Sequence, residues 1–270
     1  MAVQDSMGDR MKQYESITDY VLPDQLPVIV RFDGRAFSSL TRKLKLARPM
    51  DEAFHQAMVK TTIALCEEIT NARIGYTQSD EISILVYPKY VESQPFFGNR
   101  LCKILSVLSG LASVTLYKEL LAGPHADRLR ESSITPTFDA RAFVIPVHDA
   151  PNAFLWRLRD AAKNSVSAFA EAHFSSRELE NINTTERLEM LLSKGVDWDL
   201  QEAWKKYGTA VVRKVSEITG MFGPPGKETE KTVLRHEWDR IEALPEKTKV
   251  EGTQSITSIV KLFLSTPEMK

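Results

Sequence analysis

The sequence predicts an α+β protein in which an antiparallel sheet is covered by helices. Short β-branched or aromatic runs alternate with long stretches whose apolar residues recur at helical spacing. Two of the strand-like runs, within RIGYTQSDEISILVY at 73–87, are separated only by the polar Thr77-Gln78-Ser79-Asp80, which reads as a hairpin. The order along the chain is helix, strand, helix, hairpin, helix, strand, helix.

Residues 7–21 read as an opening helix. Pro27 precedes VIVRF, a buried strand over 28–32 that ends at Asp33-Gly34. Pro49-Met50-Asp51 starts an amphipathic helix reaching about residue 69, with Asp51 at the end where negative charge is favoured. The hairpin follows, with Asp80 at its tip. Residues 98–121 form a helix burying Leu101, Ile104, Leu105, Leu108, Leu111 and Ala112, while Lys103 points elsewhere. TFDARAFVI at 137–145 is a third strand. The helix over 151–174 turns Leu155, Leu158, Ala162, Val166 and Phe169 inward and carries Arg157, Asp160, Asn164 and Ser167 as a polar stripe opposite. GMFGPPGKE at 220–228 is the sharpest break in composition; it divides a main domain, 1–219, from a helical C-terminal appendage, 220–270. Within the appendage WDRIEAL is helix-like and GTQSITSIVKLFL is strand-like.

With 270 residues and 43% apolar composition the chain can build a packed core. Its 35 basic and 36 acidic residues leave a net charge of −1, so phosphate binding has to come from local clusters. TRKLKLARP at 41–49 is one, with Arg42, Lys43, Lys45 and Arg48 and no acid among them. No run approaches the roughly 18 apolar residues of a membrane span, and the N-terminal segment lacks a signal peptide's apolar core; a cytoplasmic protein without membrane contact is expected. Cys66 and Cys102 read as reduced core thiols in helices, and none of the five histidines has metal-ligand spacing.

A strand running into Asp-Gly puts a carboxylate where the chain leaves the sheet, and the glycine allows the backbone to approach a ligand closely. If that strand lies beside the hairpin, Asp33 and Asp80 converge on one sheet edge as a hard oxygen site suited to magnesium. Two such ions would activate an attacking hydroxyl and neutralise a triphosphate, with Arg100 and Lys103 as further phosphate ligands. Each feature alone is ordinary turn or surface chemistry; the constellation is what carries information.

RFDGRAF at 31–37, ARPMDEAF at 47–54 and YTQSDEISI at 76–84 resemble the tRNA-His guanylyltransferase family in order and spacing. The resemblance continues through Lys103, FDAR at 138–141 and WRLRDAAKNS at 156–165, and more loosely through KKYGTAVVR at 205–213, covering about residues 10–214. It implies a fold similar to the polymerase palm and the nucleotide cyclases, and nucleotide addition to an RNA 5′ end, growing 3′ to 5′. It further implies that Asp33, the Gly34 carbonyl and Asp80 hold two magnesium ions, with Glu81 in support. The backbone of Arg35, Ala36, Phe37 and Ser38 would cradle the triphosphate with Ser79 and Lys103, while Arg48 and Asp51 lie near the nucleotide. Arg100, Arg141 and Asn164 would complete the polar surroundings; ATP or GTP is the activating substrate, tRNA the partner and a homotetramer the expected assembly.

Two departures narrow the expectation. The family's eukaryotic members carry His-x-Asn-Asn where this chain reads Ala162-Lys163-Asn164-Ser165, and Ser38 replaces a histidine common after the Asp-Gly strand. Both favour the like-protein branch, which resembles template-directed repair enzymes for truncated tRNA 5′ ends, over addition of the −1 guanosine to tRNA-His. A palm-fold nucleotide cyclase would use the same two aspartates, but the basic 41–49 segment and the YTQSDE spacing argue against it. Intact Asp33, Asp80 and Lys103 argue against a non-catalytic tRNA-binding protein.

Overall fold

A computed structural model describes residues 6–88, 90–222, 224, 229–245 and 255–264. The elements run α1 Ser6–Ser16, β1 Val28–Gly34, α2 Phe37–Leu44, α3 Glu52–Glu68, β2 Ala72–Gln78, β3 Glu81–Val86, α4 Leu101–Ala122, α5 Ala126–Ser132 and β4 Phe138–Val144. Then come α6 Ala150–His173, α7 Thr184–Ser193, α8 Ala203–Tyr207, β5 Thr209–Phe222, β6 Thr229–Glu242 and α9 Ile256–Phe263. The strands form one six-stranded sheet in the order β4-β1-β3-β2-β5-β6, antiparallel at every pairing. The predicted α+β class and the central hairpin are both found.

Side chains on alternate positions of a strand point to opposite faces, and both faces of the sheet's central strands are covered. Val28, Val30, Phe32, Ile82, Ile84 and Val211 join Met58 and Leu65 of α3 and Leu108 and Leu116 of α4 in one core. Ile29, Ile74, Tyr76, Leu85 and Ala210 on the other face pack with Phe154 and Leu158 of α6 and with Ile256, Ile259 and Val260 of α9. The result is a helix–sheet–helix sandwich whose β1 and β3 lie side by side at its centre.

Several elements differ from the sequence reading. FSSLTRKL forms α2, which begins on a left-handed Ala36 without a side-chain cap and so lacks the usual start signal. WDRIEAL is not helical: Trp238 and Ile241 imitate a helical spacing, but they pack on opposite faces of the sheet as part of β6. ITSIVKLF is a helix rather than a strand, because Ser255 caps it and Ile256, Ile259 and Val260 share one buried stripe. The boundary expected at 219/220 falls inside β5, which pairs with β6 along its whole length; residues 223 and 225–228 of the Pro/Gly-rich stretch, and 252–254 of GTQSITSIVKLFL, lie outside the described residues.

On α6 it is Phe154 and Ala161, more than Leu155 and Ala162, that are buried, and Arg157 of the supposed solvent stripe is buried as well. In α4 the fully buried stripe is Ile104, Leu108, Ala112, Leu116 and Leu120; Leu101, Leu105 and Leu111 are half-buried. Contrary to expectation, α4 is long and apolar enough to cross a membrane by length and composition, but its stripe is packed against α3 and β4. Cys66 is buried as expected, whereas Cys102 is exposed and donates its thiol to the Thr18 carbonyl at 3.3 Å.

Candidate active site

Asp33 and the hairpin tip meet through backbone pairing. In register Asp33 stands opposite Glu81 on one side and Asp139 on the other, and the Gly34 amide donates to the Asp80 carbonyl at 3.1 Å. The tip is tight: Gln78 pairs with Glu81, and Ser79 turns the chain at a left-handed φ of 49°. The fold gives Gly34 a packing reason of its own. A Cβ there would lie 2.5 Å from the Phe37 ring, so its bareness serves the core, where Phe37 packs on Phe54 and Phe138.

Burial pushes the Asp80 carboxyl above its ordinary range, and the nearby Asp33 and Glu81 push it further, against the opposing hydrogen bonds from its own amide and Ser79. No salt bridge reaches Asp33 or Asp80 among the described residues. Glu81 differs: its carboxylate accepts from the buried Arg157 guanidinium, which also binds Asp160 at 3.0 Å, and Asn164 donates to Asp160 at 3.2 Å. Arg157 of the α6 stripe is thus a clamp on the hairpin, with Asp160 and the exposed Asn164 behind it. No three His, Cys, Asp or Glu side chains among the described residues form a metal cage. Two uncompensated carboxylates plus a backbone carbonyl suit a hard cation that completes its shell with phosphate and water.

Beside the tip opens a cavity of about 620 Å³. Its near wall holds Ser38, Arg48, Asp51 and Ser79, joined by Arg42 and Lys45 of the basic segment. Its far wall comes from α6, including Asn164, and from α8, with Trp204. The carboxylate of Asp51 is fully engaged: it caps α3 at Phe54, accepts from the Ala47 amide at 2.9 Å and meets His125 Nε2 at 3.0 Å. Burial opposes ionisation there, but these bonds prevail and hold the carboxyl below its usual range. Its observed work is to fix the 47–51 loop. Arg35 and Ala36 continue from the strand end, and the Arg35 amide donates to Thr137. The left-handed Ala36 starts α2 without a side-chain cap, two residues after the end of β1.

Of the predicted residues, Ser38, Arg48, Asp51, Ser79 and Asn164 line the cavity; Asp33, Gly34, Arg35, Ala36, Phe37, Asp80 and Glu81 lie at the strand end and hairpin tip beside it, and Arg100, Lys103 and Arg141 are engaged elsewhere. Arg100 binds Asp19 at 2.8 Å, Lys103 Nζ lies 4.8 Å from the Phe97 ring centroid, and Arg141 donates to Asp139 at 3.2 Å. Sequence reasoning missed His55, which stacks on Trp204 with ring centroids 4.5 Å apart and bonds Thr209 at 2.9 Å. Burial, helped by Arg240, lowers its pKa to about 4, so it stays neutral above mildly acid pH. The signal lay in WKKYG at 204–208, of which the sequence reading used only the last four residues.

Comparisons with known proteins identify the family. The model for tRNAHis guanylyltransferase matches residues 8–146. The chain belongs to the tRNA-His guanylyltransferase family. It is thereby a nucleotidyltransferase. A bacterial tRNA-His guanylyltransferase-like protein in complex with ATP superimposes with a TM-score of 0.79 at 30% identity, over 97% of this chain and all of that one. The like-protein complex with GTP gives 0.72 at 31% identity, over 96% and 99%. The tRNA(His) guanylyltransferase of Debaryomyces hansenii is 28% identical across 77% of this chain and 81% of its own. Family and fold therefore stand as the motifs implied.

Proposed function

We propose that this protein repairs tRNA 5′ ends by template-directed 3′-to-5′ nucleotide addition, after ATP or GTP activates a 5′-monophosphate. The observation that carries the reading is the meeting of three parts: the Asp33–Asp80 pair, the uncapped start of α2, and the adjoining cavity with its basic rim. ATP and GTP complexes of like proteins support a nucleotide as the cavity's occupant. Ala162 and Ser38 in place of histidines support repair over addition of the −1 guanosine.

The chain's own groups divide the work. Amides at the start of α2 and the Ser79 hydroxyl receive triphosphate oxygens, and Arg48, Arg42 and Lys45 balance their charge. Trp204, backed by neutral His55, offers an apolar wall to the nucleoside. Arg157 holds Glu81 so that the hairpin tip keeps Asp80 against the end of β1. Magnesium bound by Asp33, Asp80 and the Gly34 carbonyl would supply charge neutralisation and a lowered pKa for the attacking hydroxyl. Lys103, Arg100 and Arg141 are assigned to phosphates arriving from outside the cavity. A cytoplasmic homotetramer is the assembly we propose, by family resemblance.

The test is incorporation of labelled GTP, with and without magnesium, into tRNA lacking its first nucleotide and into intact tRNA-His lacking the −1 guanosine. Repair predicts metal-dependent extension of the truncated tRNA by one residue, lost in Asp33→Ala and Asp80→Ala with the fold retained. Product only from tRNA-His would favour guanylylation, cyclic nucleotide from GTP alone would favour a cyclase, and full activity in either variant would remove the assignment.

A further inference from the structure

We propose that Trp156, with Arg31 beside it, is a stacking platform for the unpaired base at the 5′ end of the RNA. This rests on reading the chain as an RNA 5′-end nucleotidyltransferase. Trp156 projects from α6 with 54% of its surface exposed, and a single exposed apolar residue needs no explanation by itself. Its surroundings do. The Arg31 and Arg157 guanidinium carbons lie 5.7 and 4.7 Å from the indole centroid, and the half-exposed Phe143 borders the same shallow depression. Arg157 is neutralised by Glu81 and Asp160, but Arg31 has no carboxylate partner among the described residues, and its Nε is buried without a hydrogen bond. An aromatic plane beside an uncompensated arginine is the chemistry that receives a stacked base and its phosphate.

The register fixes where this platform lies. Arg31 is two residues before Asp33 on β1, so the two side chains share a sheet face about 7 Å apart along the strand. Arg157 in turn touches Glu81, directly opposite Asp33. The platform therefore borders the carboxylates, yet it shares no wall residue with the large cavity. The depression holds only about 10 Å³ against about 620 Å³ in that cavity. It cannot enclose a free nucleotide. It suits a base delivered by a macromolecule held through other contacts, and the strand whose 5′ phosphate must reach Asp33 and Asp80 is the RNA.

Fluorescence tests this directly, using tRNA lacking its first nucleotide with 2-aminopurine at the new 5′ terminus or at an interior position. The native protein should quench the terminal label more than the interior one. Trp156→Ala should lose the terminal quench and bind this RNA about fivefold to a hundredfold more weakly, the range for removing one stacked base, with the GTP KM and melting temperature unchanged. Trp156→Phe, which keeps a ring, should restore most of both. Unchanged quench and affinity in Trp156→Ala would overturn the platform while leaving the activity reading intact. Trp156-dependent quenching of free 2-aminopurine riboside triphosphate instead of the RNA label would also overturn it, giving the platform to the incoming nucleotide. Failure of the native protein to bind the RNA while it binds ATP would overturn the RNA reading itself.

Discussion

At the scale of single residues, the carboxylates at the hairpin tip answer to different partners. Burial first, then Asp33 and Glu81 nearby, shift Asp80 toward its neutral form in the metal-free protein. A folded-state pKa above the ordinary 3.8 means that its stabilising contribution is present at low pH and lost as pH rises through the raised value. Asp80→Asn should therefore raise the melting temperature of metal-free protein at neutral pH and flatten its pH dependence, while incorporation nearly vanishes. In the native protein, metal-dependent activity should fall as pH drops, because protons compete with the metal for Asp80, and added magnesium should move that fall to lower pH in a pH–rate profile. Glu81 has Arg157 instead. Removing one partner of a buried pair strands the other's charge, so Arg157→Met should cost about 3–5 kcal/mol in urea unfolding. Adding Glu81→Gln should return part of that loss, because the more buried of the two stranded carboxylates is then removed, Asp160 being more exposed to solvent; a strictly additive double-mutant cycle would deny the coupling.

Elements, more than residues, decide what could be read from the sequence. Asp33 and Asp80 were legible because each sits at a local signal, a strand end and a two-residue turn, and a short antiparallel pairing joins them. Arg157 was misread because helical periodicity does not tell which stripe is buried on a helix that contacts a sheet, another helix and a hairpin tip. The β5–β6 ribbon was hidden because charged residues lie on both of its faces beyond Val212, which erases the alternation that marks a half-buried strand. The junction of α8 and β5 is the element most sensitive to a small change. Gly208 has φ 75°, and a Cβ on it would sit 2.4 Å from the Thr77 carbonyl. Gly208→Ala should destabilise the fold by about 1–3 kcal/mol and weaken nucleotide binding by displacing Trp204, read by thermal unfolding and ATP titration.

For the molecule as a whole, the fold class and the carboxylate edge were legible, whereas the cavity was not. Its walls come from residues 38–55, 78–79, 161–171 and 204–208, and no local pattern announces that such distant segments meet. If the cavity and the carboxylates act as one site, ATP with magnesium at a hundredfold over Kd should raise the unfolding free energy by about 2.7 kcal/mol. That gain should disappear in the Asp33→Ala, Asp80→Ala double variant and persist in Trp156→Ala, since the platform lies outside the cavity. The strand order adds a consequence for synthesis on the ribosome. β1, β2 and β3 have all emerged once residue 86 is clear of the exit tunnel, so the acidic pair can assemble early. The wall carrying Trp204 follows more than a hundred residues later. A nascent chain can thus present an acidic cleft well before α6 and α8 arrive to complete the wall where a nucleotide would sit.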